Sequence, residues 1–272
     1  MSLSPEPLLH HLWRDYTQST PQAEAIHRLL GAQGEVIHND HVALRSFAPF
    51  LGKASVGIAQ LGVLFEQHGW VAQEDYEFTD KHLHARYWLH PDRTLPRVFI
   101  SELQIEKLSP AAQRILNGLI DQLPAGFAAR ADLPWAGRPW QTSHRDYQTL
   151  LAESEYAAWM AAWGFRVNHF TVYINDLTRF TEVHELNTFL QTNGFTLNAA
   201  GGLVKGTPAD YLEQSSTMAT PMPVEFTDGT FDVPSCYYEF AKRYPLPNGQ
   251  LFNGFVPTSA NRLFESTNVT TR

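Results

Sequence analysis

Apolar positions recur at helical spacing over residues 8–31, which predicts an opening helix packed beside the first sheet. Within it, Thr20-Pro21 supplies a cap-like residue and a first-turn proline that would restart the helix. The period changes after Gly34. In VIHNDHVALRSF apolar and polar positions alternate, which predicts a strand with His41, Ala43, Arg45 and Phe47 on one face and Val42, Leu44 and Ser46 on the other. A helix over 55–68 follows and is closed by Gly69, a residue suited to the left-handed end of a helix. YEFTDKHLHARYWLH and RVFISELQIE read as strands, with Pro91 and Pro96 bracketing the turn between the last two.

The second half repeats this order. VNHFTVYIN predicts a strand, residues 177–193 a helix closed by Gly194, and sheet-like segments return the chain to CYYEFAKRY. LGVLFEQHGW (61–70) lies over LNTFLQTNGF (186–195), with Gly69 on Gly194. Upstream, His41 pairs with His169; downstream, Glu102 of ISEL falls roughly opposite Glu239 of YYEF. The expected fold is α+β, a single domain over 1–272. Two repeated strand-helix-strands modules, about 36–107 and 165–245, would build a central β-sheet or half-barrel. Between them, residues 108–164 read as a helical insertion. It comprises a helix over 110–123, the connector ADLPWAGRPW and one helix through YQTLLAESEYAAWMAAW. It is expected to cover a sheet face, with a lid over the site as the alternative. FNGFVPTSANRLFEST then reads as a loop and a short helix.

Composition narrows the picture. At 272 residues and 43% hydrophobic, the chain can fill a sizeable core. A formal charge of −8 without any basic run argues against a nucleic-acid partner, because phosphate binding rests on clustered Lys and Arg. No signal-peptide pattern and no run of about 18 apolar residues is present, so neither secretion nor a membrane partner is expected. The single cysteine, Cys236, excludes an intramolecular disulfide and a cysteine-rich zinc site, and it points to a reducing, cytoplasmic setting. It also lacks a neighbouring histidine that would make it a nucleophile. Oligomeric state is not written in these features.

Histidine is the commonest transition-metal ligand, and the chain has twelve. Two strand-borne histidines and a carboxylate on equivalent strands, His41, His169 and Glu239, are the parts of a facial 2-His-1-carboxylate site. Such a site leaves one face of an octahedral ion open to a chelating substrate and O2. The ligand types suit Fe(II), Mn(II) or Zn(II). From the residues alone, His38 competes with His41, although parity puts it on the opposite face. Glu225 competes with Glu239, which could instead pair with Arg243. Glu102 is a further carboxylate, and Arg45 could pair with Asp40 or Glu102. His82, His84 and His90 read as a solvated or pocket-lining face.

HVALRSF, VNHFTVYIN, GGLVKGTP, YLEQSSTMA and EFTDGTFDVPSCYYEFAKRY stand in that order within residues 36–268, and together they resemble the DUF1338 family. Its characterised members are 2-oxoadipate dioxygenase/decarboxylases, also called hydroxyglutarate synthases. The resemblance implies a fold related to the vicinal oxygen chelate superfamily. It also implies Fe(II) held by His41, His169 and Glu239, with zinc or nickel able to replace it during purification. Arg45 matches the family's substrate-binding arginine, a catalytic-site group that would hold the distal carboxylate of 2-oxoadipate while O2 converts the acid to 2-hydroxyglutarate and CO2. Lys205, Gln214 and Ser216 fall in the same motifs as candidate pocket residues. The alternatives are a metal-dependent isomerase or lyase of the same superfamily, and a metabolite-binding module without catalysis.

Overall fold

The computed structural model describes residues 3–50 and 56–267. Helices α1 (Pro5–Ser19) and α2 (Pro21–Gly31) open the chain. The helical stretch over 8–31 restarts at Thr20-Pro21 as expected, because Thr20 leaves helical geometry (φ −137, ψ 64) and Pro21 has no N–H with which to continue α1. Strand β1 (Asn39–Phe47), helix α3 (Ile58–Glu66) and strands β2 (Val71–Phe78), β3 (Leu83–Leu89) and β4 (Arg97–Leu103) make the first module. Ser55, at the expected start of α3, lies outside the described residues. YEFTDKHLHARYWLH divides at His82, which turns the chain at φ 55.

The insertion supplies α4 (Pro110–Ile120), α5 (His144–Leu151) and α6 (Glu155–Trp163). One helix was expected where α5 and α6 stand. Ser154 breaks it in an extended conformation (φ −145), and its Oγ accepts the Ala157 N–H at 3.1 Å to start α6. Every residue of α6 from Tyr156 to Trp163 is buried, so this helix is a wall of the core. The second module runs through β5 (Val167–Tyr173), α7 (Val183–Thr192), β6 (Leu212–Ser216), the hairpin β7 (Pro221–Phe226) and β8 (Gly229–Pro234), and β9 (Glu239–Arg243). Helix α7 starts later than its apolar period suggests, because the Glu185 carboxylate accepts the Glu182 N–H at 3.1 Å and caps the first turn there. Helix α8 (Pro257–Leu263) and a 3₁₀ turn, Phe264–Thr267, follow.

Seven strands form one curled sheet in the order β2-β3-β4-β1-β5-β9-β6. The modules meet at its centre, where β1 and β5 pair antiparallel; β4 runs parallel to β1, and β9 parallel to β5. The pairs His41↔Thr171 and Ala43↔His169 exchange under the same offset of 128 that relates the two histidines, so an approximate two-fold axis passes between β1 and β5. In the second module the counterpart of β2 shrinks to isolated bridges at Leu197–Thr217 and Lys205–Gln214. Helix α1 covers β5, with Trp13 edge-on to Phe170 at 5.1 Å, so it packs on the second module. Strand β1 is buried on both faces from Asp40 to Phe47. Val42 and Leu44, one residue out of phase with His41, are fully buried and each contributes about 1.5–3 kcal/mol by leaving water. Among the described residues no helix is long and apolar enough to cross a membrane.

Candidate metal centre

The two-fold axis brings His41 and His169 together. Their Nε2 atoms lie 3.3 Å apart, and each faces one oxygen of Glu239: His41 Nε2 to Oε1 at 3.5 Å, His169 Nε2 to Oε2 at 3.3 Å. All three residues are buried. Donors bound at about 2.1 Å at right angles around one ion would be separated by about 3 Å, so the spacing fits adjacent positions on a single metal. Among the described residues this is the only group of three or more His, Cys, Asp or Glu close enough to hold an ion.

The strands also orient the rings, by a device that alternation conceals. On β1, Asn39 pairs with Val172 and His41 with Thr171, which leaves Asp40 as an extra residue; on β5, Ala43 pairs with His169 and Leu44 with Val167, which leaves Asn168. These are symmetry-related β-bulges, and a bulge lets neighbouring side chains share a face. Asp40 Oδ2 accepts from His41 Nδ1 at 2.7 Å, and Asn168 Oδ1 from His169 Nδ1 at 3.1 Å. Both acceptors keep the proton on Nδ1 and turn the Nε2 lone pair inward, as histidine ligands require. Gln214 Nε2 donates to Glu239 Oε1 at 2.5 Å and fixes the carboxylate.

Burial governs the charges. It lowers the His41 pKa against the pull of Asp40, and it lowers that of His169 well below the ordinary histidine value, with His41 and Arg45 adding to the effect. Burial would also raise Asp40, but Arg243 (2.6 and 2.9 Å) and Arg97 (3.1 Å) hold it well below the usual carboxylate range. Glu239 has no such cation in contact, and burial pushes it up to about 8 despite the bond from Gln214.

Arg45 lines the same cavity as the triad, together with Phe99, Tyr237, Phe255 and Leu263. Its partner is neither Asp40 nor Glu102. Nη1 donates to Glu155 Oε1 at 2.8 Å and Nη2 to Thr267 Oγ1 at 3.2 Å, while Tyr156 and Trp159 lie against the guanidinium at 4.8 and 5.0 Å. Glu102 is turned away and caps α3 through the Ile58 N–H at 2.8 Å. The register explains why it does not match Glu239. Ala43, the counterpart of Thr171, pairs with Phe99, whereas Thr171 pairs with Glu239, so Phe99 holds the position equivalent to Glu239 and Glu102 lies three residues beyond it.

The other candidates separate cleanly. His38 is half-exposed and pairs with Asp176 at 2.9 Å; Glu225 is exposed on the β7–β8 hairpin; and Arg243 is held by Asp40. His84 bonds to Asp75 and Glu102, and His90 sits on the Trp70 ring. Gln214 reaches the cavity, but Lys205 donates to the Asn198 and Gly202 carbonyls and Ser216 bonds to Ser266. Cys236 is buried, its thiol pushed up to about 11, which suits no nucleophile. A larger cavity of about 570 Å³, lined by residues such as Thr196, Met218 and Glu265, contains no triad residue.

Four buried polar atoms on residues lining the site cavity have no partner: Arg45 Nε, Asn168 Nδ2, Gln214 Oε1 and Tyr237 Oη. Buried polar groups are nearly always satisfied, so this set and the N,N,O triad beside it fit a metal with a polar ligand.

A family model described as 2-oxoadipate dioxygenase/decarboxylase matches residues 8–131 and 131–252. The 2-oxoadipate dioxygenase/decarboxylase of Oryza sativa subsp. japonica, named as chloroplastic or amyloplastic, is 32% identical over 96% of this chain and 78% of its own length. The crystal structure of hydroxyglutarate synthase from Oryza sativa in complex with 2-oxoadipate superposes with a TM-score of 0.90, at 32% identity over 97% of this chain and 92% of that one. A Shewanella frigidimarina structure, offered as that of a hydrolase, is 49% identical with a TM-score of 0.88, over 94% and 99% of the two chains. A glyoxalase-superfamily structure from Ralstonia eutropha, 21% identical with a TM-score of 0.75 over 90% and 83% of the chains, shares the fold.

Proposed function

The chain belongs to the 2-oxoadipate dioxygenase/decarboxylase family, and on that premise we propose that it converts 2-oxoadipate and O2 into 2-hydroxyglutarate and CO2 at an Fe(II) held by His41, His169 and Glu239. The observation that carries this reading is the buried, symmetry-built triad sharing one cavity with a buried arginine. The whole of 1–272 acts as one domain, because the ligands come from both modules. A free buried cysteine suits a cytoplasmic setting.

Fe(II), when bound, supplies adjacent open positions for a chelating 2-oxo acid and O2, together with the electrons that O2 activation needs. The residues of the chain do the rest. Asp40 and Asn168 hold the imidazole tautomers, Gln214 orients Glu239, and the rings of Phe99 and Phe255 exclude water. Arg45 retains an unpartnered Nε–H beside its bond to Glu155, and it holds the distal carboxylate of the acid through that remaining donor capacity. The cavity is narrow, about 30 Å³, and α8 and the Phe264–Thr267 turn supply Ala260, Leu263 and Phe264 to its wall.

Protein loaded with Fe(II) without oxygen, given 2-oxoadipate and then air, should consume O2 and release CO2 in equal amounts. Absence of turnover across a panel of 2-oxo acids would sink the proposal, and so would hydrolysis that needs no O2. Arg45→Ala should keep its metal and raise the KM for 2-oxoadipate at least tenfold, whereas His169→Ala should lose the metal, as elemental analysis of both variants would show.

A further inference from the structure

Tyr237 combines a fixed ring with an idle hydroxyl. The ring stacks on the His169 imidazole, with centroids 4.5 Å apart and planes 25° apart, and its carbonyl accepts a hydrogen bond from Tyr16 Oη at 2.5 Å. The side chain is fully buried, lines the site cavity, and its Oη has no partner. Tyr238 makes the comparison useful. Its Oη is also buried and unpartnered, but that ring sits among Trp13, Tyr16 and Phe240 and lines no part of the site cavity. Tyr237 alone of the two opens onto the chemistry, lining one cavity with Glu239 and Arg45. A phenol is protonated at neutral pH, hence a donor.

We propose that the Tyr237 hydroxyl is a substrate-positioning donor, giving its hydrogen bond to an anionic oxygen of the bound 2-oxo acid between the triad and Arg45. The inference rests on the function proposed above. It explains why a polar ring, and not a phenylalanine, packs against a metal-site histidine. The hydroxyl gains nothing within the chain, and it becomes satisfied only when an acceptor enters the cavity.

Tyr237→Phe keeps the ring and removes only the donor. Loaded with zinc to prevent turnover, the variant should hold a full complement of metal, unfold at the wild-type temperature or above it, and bind 2-oxoadipate roughly 10- to 100-fold more weakly by calorimetry, the loss expected for one hydrogen bond to a charged acceptor. The iron-loaded variant should show a parallel rise in KM. Tyr238→Phe should leave binding unchanged. Wild-type affinity in Tyr237→Phe overturns the inference, as does an equal loss in Tyr238→Phe, which would mark a packing effect. Wild-type protein that binds none of a panel of 2-oxo acids overturns the function along with it, whereas binding that is indifferent to Tyr237→Phe removes the inference alone.

Discussion

His41 and His169 each spend one ring nitrogen on the protein and offer the other to the site, so the acceptors at Nδ1 set ligand quality as much as the rings do. Asn168→Ala should lower affinity for a divalent metal about 10- to 100-fold, measured by competition against a chelator, with little change in fold. Asp40→Asn should add a stability loss to the same defect, because Arg97 and Arg243 would be left buried without their anion. The residues of the triad were legible in the sequence because the duplicated order and the family motifs both mark them. Their partners were not: strict alternation sends Asp40 and Asn168 to the opposite face, and only the paired bulges reverse it. An Asx before each repeat-related histidine was the signal available. Glu155, which takes Arg45, lies 110 residues away in the chain, and no local pattern announces such a pairing.

Among elements, those with a strong period and a clear stop were legible: β1, β4, β5, α3 and α8 stand close to where the pattern puts them. Boundaries set by single backbone groups were less so: Thr20-Pro21 announced the restart at α2, but nothing marked the break at Ser154. Gly164 is a stop of another kind. It ends α6 at φ 69 and ψ −143, where a Cβ would lie 2.3 Å from the Gly137 carbonyl oxygen. Gly164→Ala should therefore cost roughly 3 kcal/mol or more in a denaturant titration. Because α6 carries Glu155, Tyr156 and Trp159 to Arg45, the variant should lose substrate affinity before it loses metal.

Across the whole molecule, folding places a carboxyl where it resists ionisation. Glu239 rises from an ordinary 4.5 to about 8, so its contribution to stability is complete below about 4.5 and is lost as the pH rises through 8. Metal-free protein should thus melt at progressively lower temperature from about pH 7 to 8, above the range in which the buried neutral His41 and His169 act in the opposite sense. Metal displaces that proton, so the loaded form should be flatter over the same range and more stable by about 2.7 kcal/mol when free metal is a hundred times Kd. Differential scanning calorimetry of both forms checks the pair. Phe99 gives the architecture a wider meaning. The duplicated frame has a place for a donor on each of two related strands, yet one place holds a carboxylate and the other a benzyl group. A single register position thus works as a selector: an acid there would add a fourth donor and leave an octahedral ion two open positions, whereas an aromatic ring leaves three, enough for a chelating acid and O2 together, so reactivity can be rewritten without touching the scaffold.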